Sequence, residues 1–166
     1  MKPRLLVLAT VMAAIALTQS IGAVTTTTIV TVSATVAATA KLSLTSATVT
    51  FPDADPDTTP SIAATEGAIT ITAKAKTSPG STVSLTILAA DDLRSGAVAI
   101  AISNITWTAS GAGFVAGTMN RTVAQTVASW TDSGNRSGTQ NYFLANTWNY
   151  ATGSYSTSAT YTLTAP

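Results

Sequence analysis

Apolar side chains recur at every second position through most of this chain, with threonine and serine between them. That is the period of a strand with one buried and one solvated face. In residues 69–76 the odd positions Ile69, Ile71, Ala73 and Ala75 are apolar, and the even positions hold Thr70, Thr72, Lys74 and Lys76. In residues 82–89, Val83, Leu85, Ile87 and Ala89 share one side. Thr77-Ser78-Pro79-Gly80-Ser81 separates the two runs, so a hairpin with a Pro-Gly loop is expected. Looser alternation marks residues 28–40 through Ile29, Val30, Val32 and Val36, and residues 42–51 through Leu44, Val49 and Phe51. Shorter strands are expected over 97–102, 104–109, 123–130, 140–145 and 154–164, the last pairing near the start of the chain. Gly-, Pro- and Asp-rich breakers fall between these runs, including 52–60, 91–96 and 132–138. The pattern predicts an all-β protein, an immunoglobulin-like antiparallel β-sandwich of about eight strands.

The first residues read differently. Met1-Lys2-Pro3-Arg4 is a short basic stretch, and residues 5–17 are apolar except for Thr10. A bilayer span needs ~20 apolar residues, so this run is too short for one. It fits a secretory signal peptide over residues 1–23, ending in the small-residue stretch Ile21-Gly22-Ala23. The expected organisation is then a leader, an N-terminal strand or donor-strand extension over 24–36, and a sandwich over 37–166. The implied destination is secreted, extracellular or cell-surface, with no stable membrane anchor after cleavage.

Composition narrows the chemistry. The 166 residues contain no cysteine and no histidine, which removes structural zinc, disulfides, thiol nucleophiles and every imidazole-based dyad or triad. Charged residues make up 9% of the chain and the net charge is +1, without a basic stripe, so nucleic acid is not an expected partner. No cofactor is implied, and the chain reads as a non-enzyme.

Three groups of residues remain as candidate sites. Asp53, Asp55 and Asp57 alternate on a Pro-flanked stretch and offer hard oxygen ligands of the kind calcium takes, although Thr58 and Ala64 replace the Gly and Glu of an EF-hand loop. Trp148 and Tyr150 stand two apart, which puts both rings on one side of an extended segment; with Trp130 they form a candidate sugar-stacking platform. Trp107, between Ile105 and Ala109, is assigned to the core. Ile29, Val30, Val32 and Val36 lie on a Thr-rich terminal segment that either forms the first strand of its own sandwich or adds to an open sheet edge of a neighbour by main-chain pairing.

At 44–51, at 69–76, and above all at Ala151-Thr152-Gly153-Ser154-Tyr155 running into Ala159-Thr160-Tyr161-Thr162, the chain resembles the spore coat protein U-like secreted domains and the archaic chaperone–usher pilins. The resemblance implies an incomplete immunoglobulin-like sandwich whose N-terminal segment donates a strand to a neighbouring subunit. The chain departs from those families in lacking a cysteine pair and in running on to Ala165-Pro166. The expected function is a structural or surface-assembly protein that self-associates through its N-terminal strand. The alternatives are a secreted carbohydrate-binding module and a calcium-stabilised adhesin-like domain.

Overall fold

The computed structural model describes residues 24–166, and the expected leader lies outside the described residues. The chain divides into two units, the first reaching Ala34 and the second running Thr35–Pro166. In the first, residues 24–34 form no strand and every one of them is exposed.

The second unit contains eleven strands and a single 3-10 turn, Ile102–Asn104. The larger sheet aligns β1 (Thr39–Leu44), β3 (Ile69–Lys76), β10 (Gly134–Ala145), β7 (Ile105–Ser110) and β8 (Gly117–Thr118), with the short β2 (Ser61–Ala63) also on β10. The second sheet is β11 (Ala159–Thr164), β4 (Thr82–Ala89) and β9 (Gln125–Thr131). A ribbon of β5 (Leu93–Ser95) and β6 (Val98–Ile100) stands apart from both. All strand pairs are antiparallel. The two sheets turn their apolar rows to one core, in which Ile71, Leu85 and Val127 are fully buried.

Strands form over 69–76 and 82–89 as the alternation predicts, but they do not pair as a hairpin. β3 belongs to the larger sheet and β4 to the smaller one, and residues 77–81 carry the chain across between them. Each run has a complete apolar row, and placing the two in opposed sheets lets both rows bury against each other's layer. The crossing is fixed locally. Gly80 takes φ 78°, and its N–H donates to the Asp132 carboxylate at 2.6 Å. The amide of Asp132 donates in turn to the Ser81 carbonyl at 3.0 Å.

Other expectations shift for similar reasons. Of residues 28–51 only β1 is a strand, and 132–138, expected as a breaker, supplies the first half of β10. The absence of a side chain at Gly138 is needed there. A Cβ on Gly138 would sit 2.4 Å from the Phe114 ring, so only glycine lets β10 pass. The last strand begins at Ala159 and pairs with β4, not with the start of the chain. Trp107 is in the core as expected, its indole N–H donating to the Val115 carbonyl at 2.9 Å and its ring tilted 50° against Tyr142.

Candidate functional site

On the side where β1 and β11 approach each other, no strand pairing among the described residues joins the two sheets. Among the described strands, β1 pairs only with β3 and β11 only with β4, so each presents an unpaired main-chain edge. Between these edges lies a groove of about 1560 Å³. Its walls are Leu42 and Leu44 of β1 and Ala159 and Tyr161 of β11, and its floor is made by Ile69 and Ile87. Register fixes its direction. Thr39 is opposite Lys76 and Thr164 is opposite Ser84, so β1 begins and β11 ends at the crossover end of the sandwich. Leu44 and Ala159 lie toward the opposite end, where the loops carrying Phe51, Asp53 and Tyr155 line the groove.

A polar cluster sits at the floor. The Tyr142 hydroxyl donates to the Gln140 side-chain oxygen at 2.7 Å, the Tyr161 hydroxyl donates to the same oxygen, and the two phenols touch. Gln140 is fully buried, and its amide nitrogen finds no partner among the described residues. Burial pushes both phenols above the ordinary tyrosine range, Tyr142 the more strongly because Tyr161 lies against it. The cluster ties β10 of one sheet to β11 of the other.

Hydrogen bonds shape the loops around the open end. The Glu66 carboxylate accepts the Thr50 N–H at 2.8 Å, a contact that holds its pKa below the ordinary value. Asn146 donates to the carbonyls of Ala54 and Thr59, both at 3.0 Å, and pins the 52–60 loop to the end of β10. Trp148 is 69% exposed, and its indole N–H donates to Asp57 at 3.0 Å. Nearby, Asp91 pairs with Arg94 at 2.7 Å and Asp92 with Arg121 at 3.3 Å. The Arg94 hydrogen bond lowers the Asp91 pKa and raises that of Arg94.

The candidate residues separate on this frame. Asp53, Asp55 and Asp57 share one loop, but the Asp55 carboxylate accepts the Asp57 N–H at 2.9 Å and Asp57 is engaged by Trp148. Among the described residues no three acidic side chains come together to hold a metal ion. Trp148 and Tyr150 belong to one loop, yet Tyr150 is half-buried with its hydroxyl on the Ala145 carbonyl. Trp130 is only 7% exposed, on β9 close to the crossover. These three rings therefore form no common platform. Ile29, Val30, Val32 and Val36 are all exposed, at 93%, 77%, 89% and 74%.

Alternation alone does not distinguish Gln140 or Tyr161 as site residues. The available signal was a polar side chain on an inward position, since Gln140 lies two residues before Tyr142 on the same face of one strand. No protein-family model, curated protein or solved structure matches the chain.

Proposed function

We propose that the protein is a secreted, non-enzymatic structural subunit that assembles with copies of itself, the N-terminal segment of one copy filling the groove of the next. The observation that carries this reading is the apolar groove between two unpaired strand edges. A strand laid there gains main-chain hydrogen bonds from an edge and buries alternate side chains. Residues 24–36 have the matching form, with Val30, Val32, Ala34 and Val36 on one side and no charge anywhere. Burying one such valine contributes roughly 1.5 kcal/mol or more. On this reading the sandwich is of the incomplete immunoglobulin-like kind that the spore coat and pilin resemblance implies.

A second copy is the fitting source of the strand. For a chain's own segment to lie along β1 it must reverse within Val36-Ala37-Ala38, which contains no Gly, Asn, Asp or Pro. Tight reversals depend on those residues. The separated positions of Trp130, Trp148 and Tyr150 favour this reading over a sugar-binding module, and the engaged carboxylates of Asp55 and Asp57 favour it over a calcium-stabilised domain.

Light scattering after size exclusion tests the proposal on the form beginning at Val24. Concentration-dependent multimers or fibres are expected, and Val30→Asp with Val32→Asp is expected to leave a folded monomer. A monomer at every concentration of the unaltered protein refutes the reading.

A further inference from the structure

The charged residues of the sandwich are segregated along its long axis. At the crossover end stand Lys41, Lys74, Lys76 and Arg136, against a single acid, Asp132. Lys41 is directly opposite Lys74 on neighbouring strands, an arrangement of like charges that costs stability. None of these four cations belongs to an ion pair among the described residues, where ion pairs join only Asp91, Asp92, Arg94 and Arg121. The other end carries Asp53, Asp55, Asp57 and Glu66 in the loops around the groove, with no cation in those loops. Its two arginines, Arg94 and Arg121, are occupied by Asp91 and Asp92. The charged side chains of the described residues thus lie at the two ends of the sandwich, with net positive charge at one and net negative charge at the other. The span between them follows from β10, which runs from Arg136 to the loop anchor at Asn146, roughly 33 Å at ~3.3 Å per residue.

Connectivity gives these poles a relation to assembly. The segment 24–36 joins the sandwich through β1, whose first residue is opposite Lys76, so it leaves from the basic pole. The loops lining the groove's outer end carry the acidic pole. We infer that successive copies dock head to tail, the basic crossover end of the strand donor against the acidic loop end of the acceptor, and that this charge pairing steers and orients the joint. The inference rests on the strand-donation reading and adds to it the surface that surrounds the inserted strand. The donor segment is uncharged and has no means of its own to choose an approach direction. Complementary poles supply one, raising encounter rates by ~10-fold or more at low ionic strength. Two copies meeting basic end to basic end repel, which selects against the unproductive orientation.

The test follows the rate of multimer growth by light scattering, using the form beginning at Val24, at about 20 mM and about 500 mM salt, where the screening length falls severalfold. Growth of the unaltered protein is expected to slow by roughly tenfold at high salt. Lys74→Glu with Lys76→Glu, and separately Asp53→Lys with Asp55→Lys, are each expected to slow growth at low salt by a similar factor. Combining Lys74→Glu and Lys76→Glu with Asp53→Lys, Asp55→Lys and Asp57→Lys reverses the sign of both poles and is expected to restore growth toward the unaltered rate, an outcome that general damage to folding does not give. The Val30→Asp and Val32→Asp form serves as the strand control. If that form is blocked while growth is insensitive to salt and to pole charge, the head-to-tail pairing is overturned and strand donation stands. If the unaltered protein does not grow at all, both are overturned.

Discussion

Leu85 and Leu163 are the same residue, directly opposite one another on β4 and β11, and their surroundings differ sharply. Leu85, on a strand with a partner on each side, is fully buried, whereas Leu163 on the sheet edge is only half-buried. The contrast recurs in the larger sheet. Ile71 of β3 is 0% exposed while its partner Leu44 of the edge strand β1 is partly exposed on the wall of the groove. In the N-terminal segment, Val30 and Val32 keep the same alternation and are exposed. The two-residue period specifies an extended backbone with an apolar face, and leaves open what that face meets.

The largest expected effect lies in this contrast. Leu85→Ala should lower stability by about 2–5 kcal/mol, since it empties a site enclosed by both sheets. Leu163→Ala should cost roughly 1 kcal/mol or less, because its place on the sheet edge already leaves part of that side chain exposed to water. Urea unfolding of both, in the monomeric Val30→Asp and Val32→Asp background, keeps association out of the comparison. Equal losses would mean that the β11 side is as sealed as the centre, and the groove would lose its standing as an unfinished part of the core.

Much of this division was legible in the sequence, and the part that was not has a physical cause. The spans of β3 and β4 follow from strict alternation, and Trp107 follows from its apolar neighbours at two-residue spacing. Their assignment to different sheets does not follow, because a Pro-Gly connection serves both a hairpin and a crossing between layers. The deciding contacts, from Gly80 and Ser81 to Asp132, span some fifty residues. The first half of β10 was hidden by Gly134 and Gly138, which read as breakers, although Gly138 is required where the strand passes Phe114. For the candidate site, the exposed segment was visible as a free alternating run. The groove was not, since it is defined by two strand edges that approach without hydrogen-bonding to each other.

A second comparison sets the centre of the larger sheet against the edge of the smaller one through Tyr142 and Tyr161. Both phenols hold their protons above the ordinary value of 10 in the folded protein, chiefly because of burial. The unfolded chain releases those protons near pH 10, so their contribution is complete below that pH and is lost as pH rises beyond it. Each tyrosine should remove about 1.4 kcal/mol of stability per pH unit over that range. Tyr161→Phe should make the alkaline slope shallower by about that amount, as measured by urea unfolding between about pH 9 and pH 11. An unchanged slope would show that the edge phenol ionises freely and that β11 is not tied to β10 through Gln140.

The smallest expected effect concerns Glu66, which joins the turn before the central strand β3 to the loop beside the edge strand β1. Its carboxylate accepts the Thr50 N–H at 2.8 Å, and this hydrogen bond is the main cause of its lowered pKa. A depressed folded-state pKa gives stability that is present above the ordinary value of 4.5 and is lost as pH falls through the folded value. Glu66→Gln should therefore change the melting temperature little under acid conditions and lower it slightly at neutral pH, flattening the profile between about pH 3 and pH 6. The site is open to solvent, so solvent screening keeps the change well below that of either leucine variant. Because the tethered loop carries Phe51 on the groove wall, the same variant should loosen the groove at neutral pH to the degree that acid loosens it in the unaltered protein. Amide exchange at Thr50 reads this directly: protection that falls with pH in the unaltered protein and stays low at every pH in the variant places the tether at Glu66, whereas identical pH profiles assign the acid sensitivity to other carboxylates.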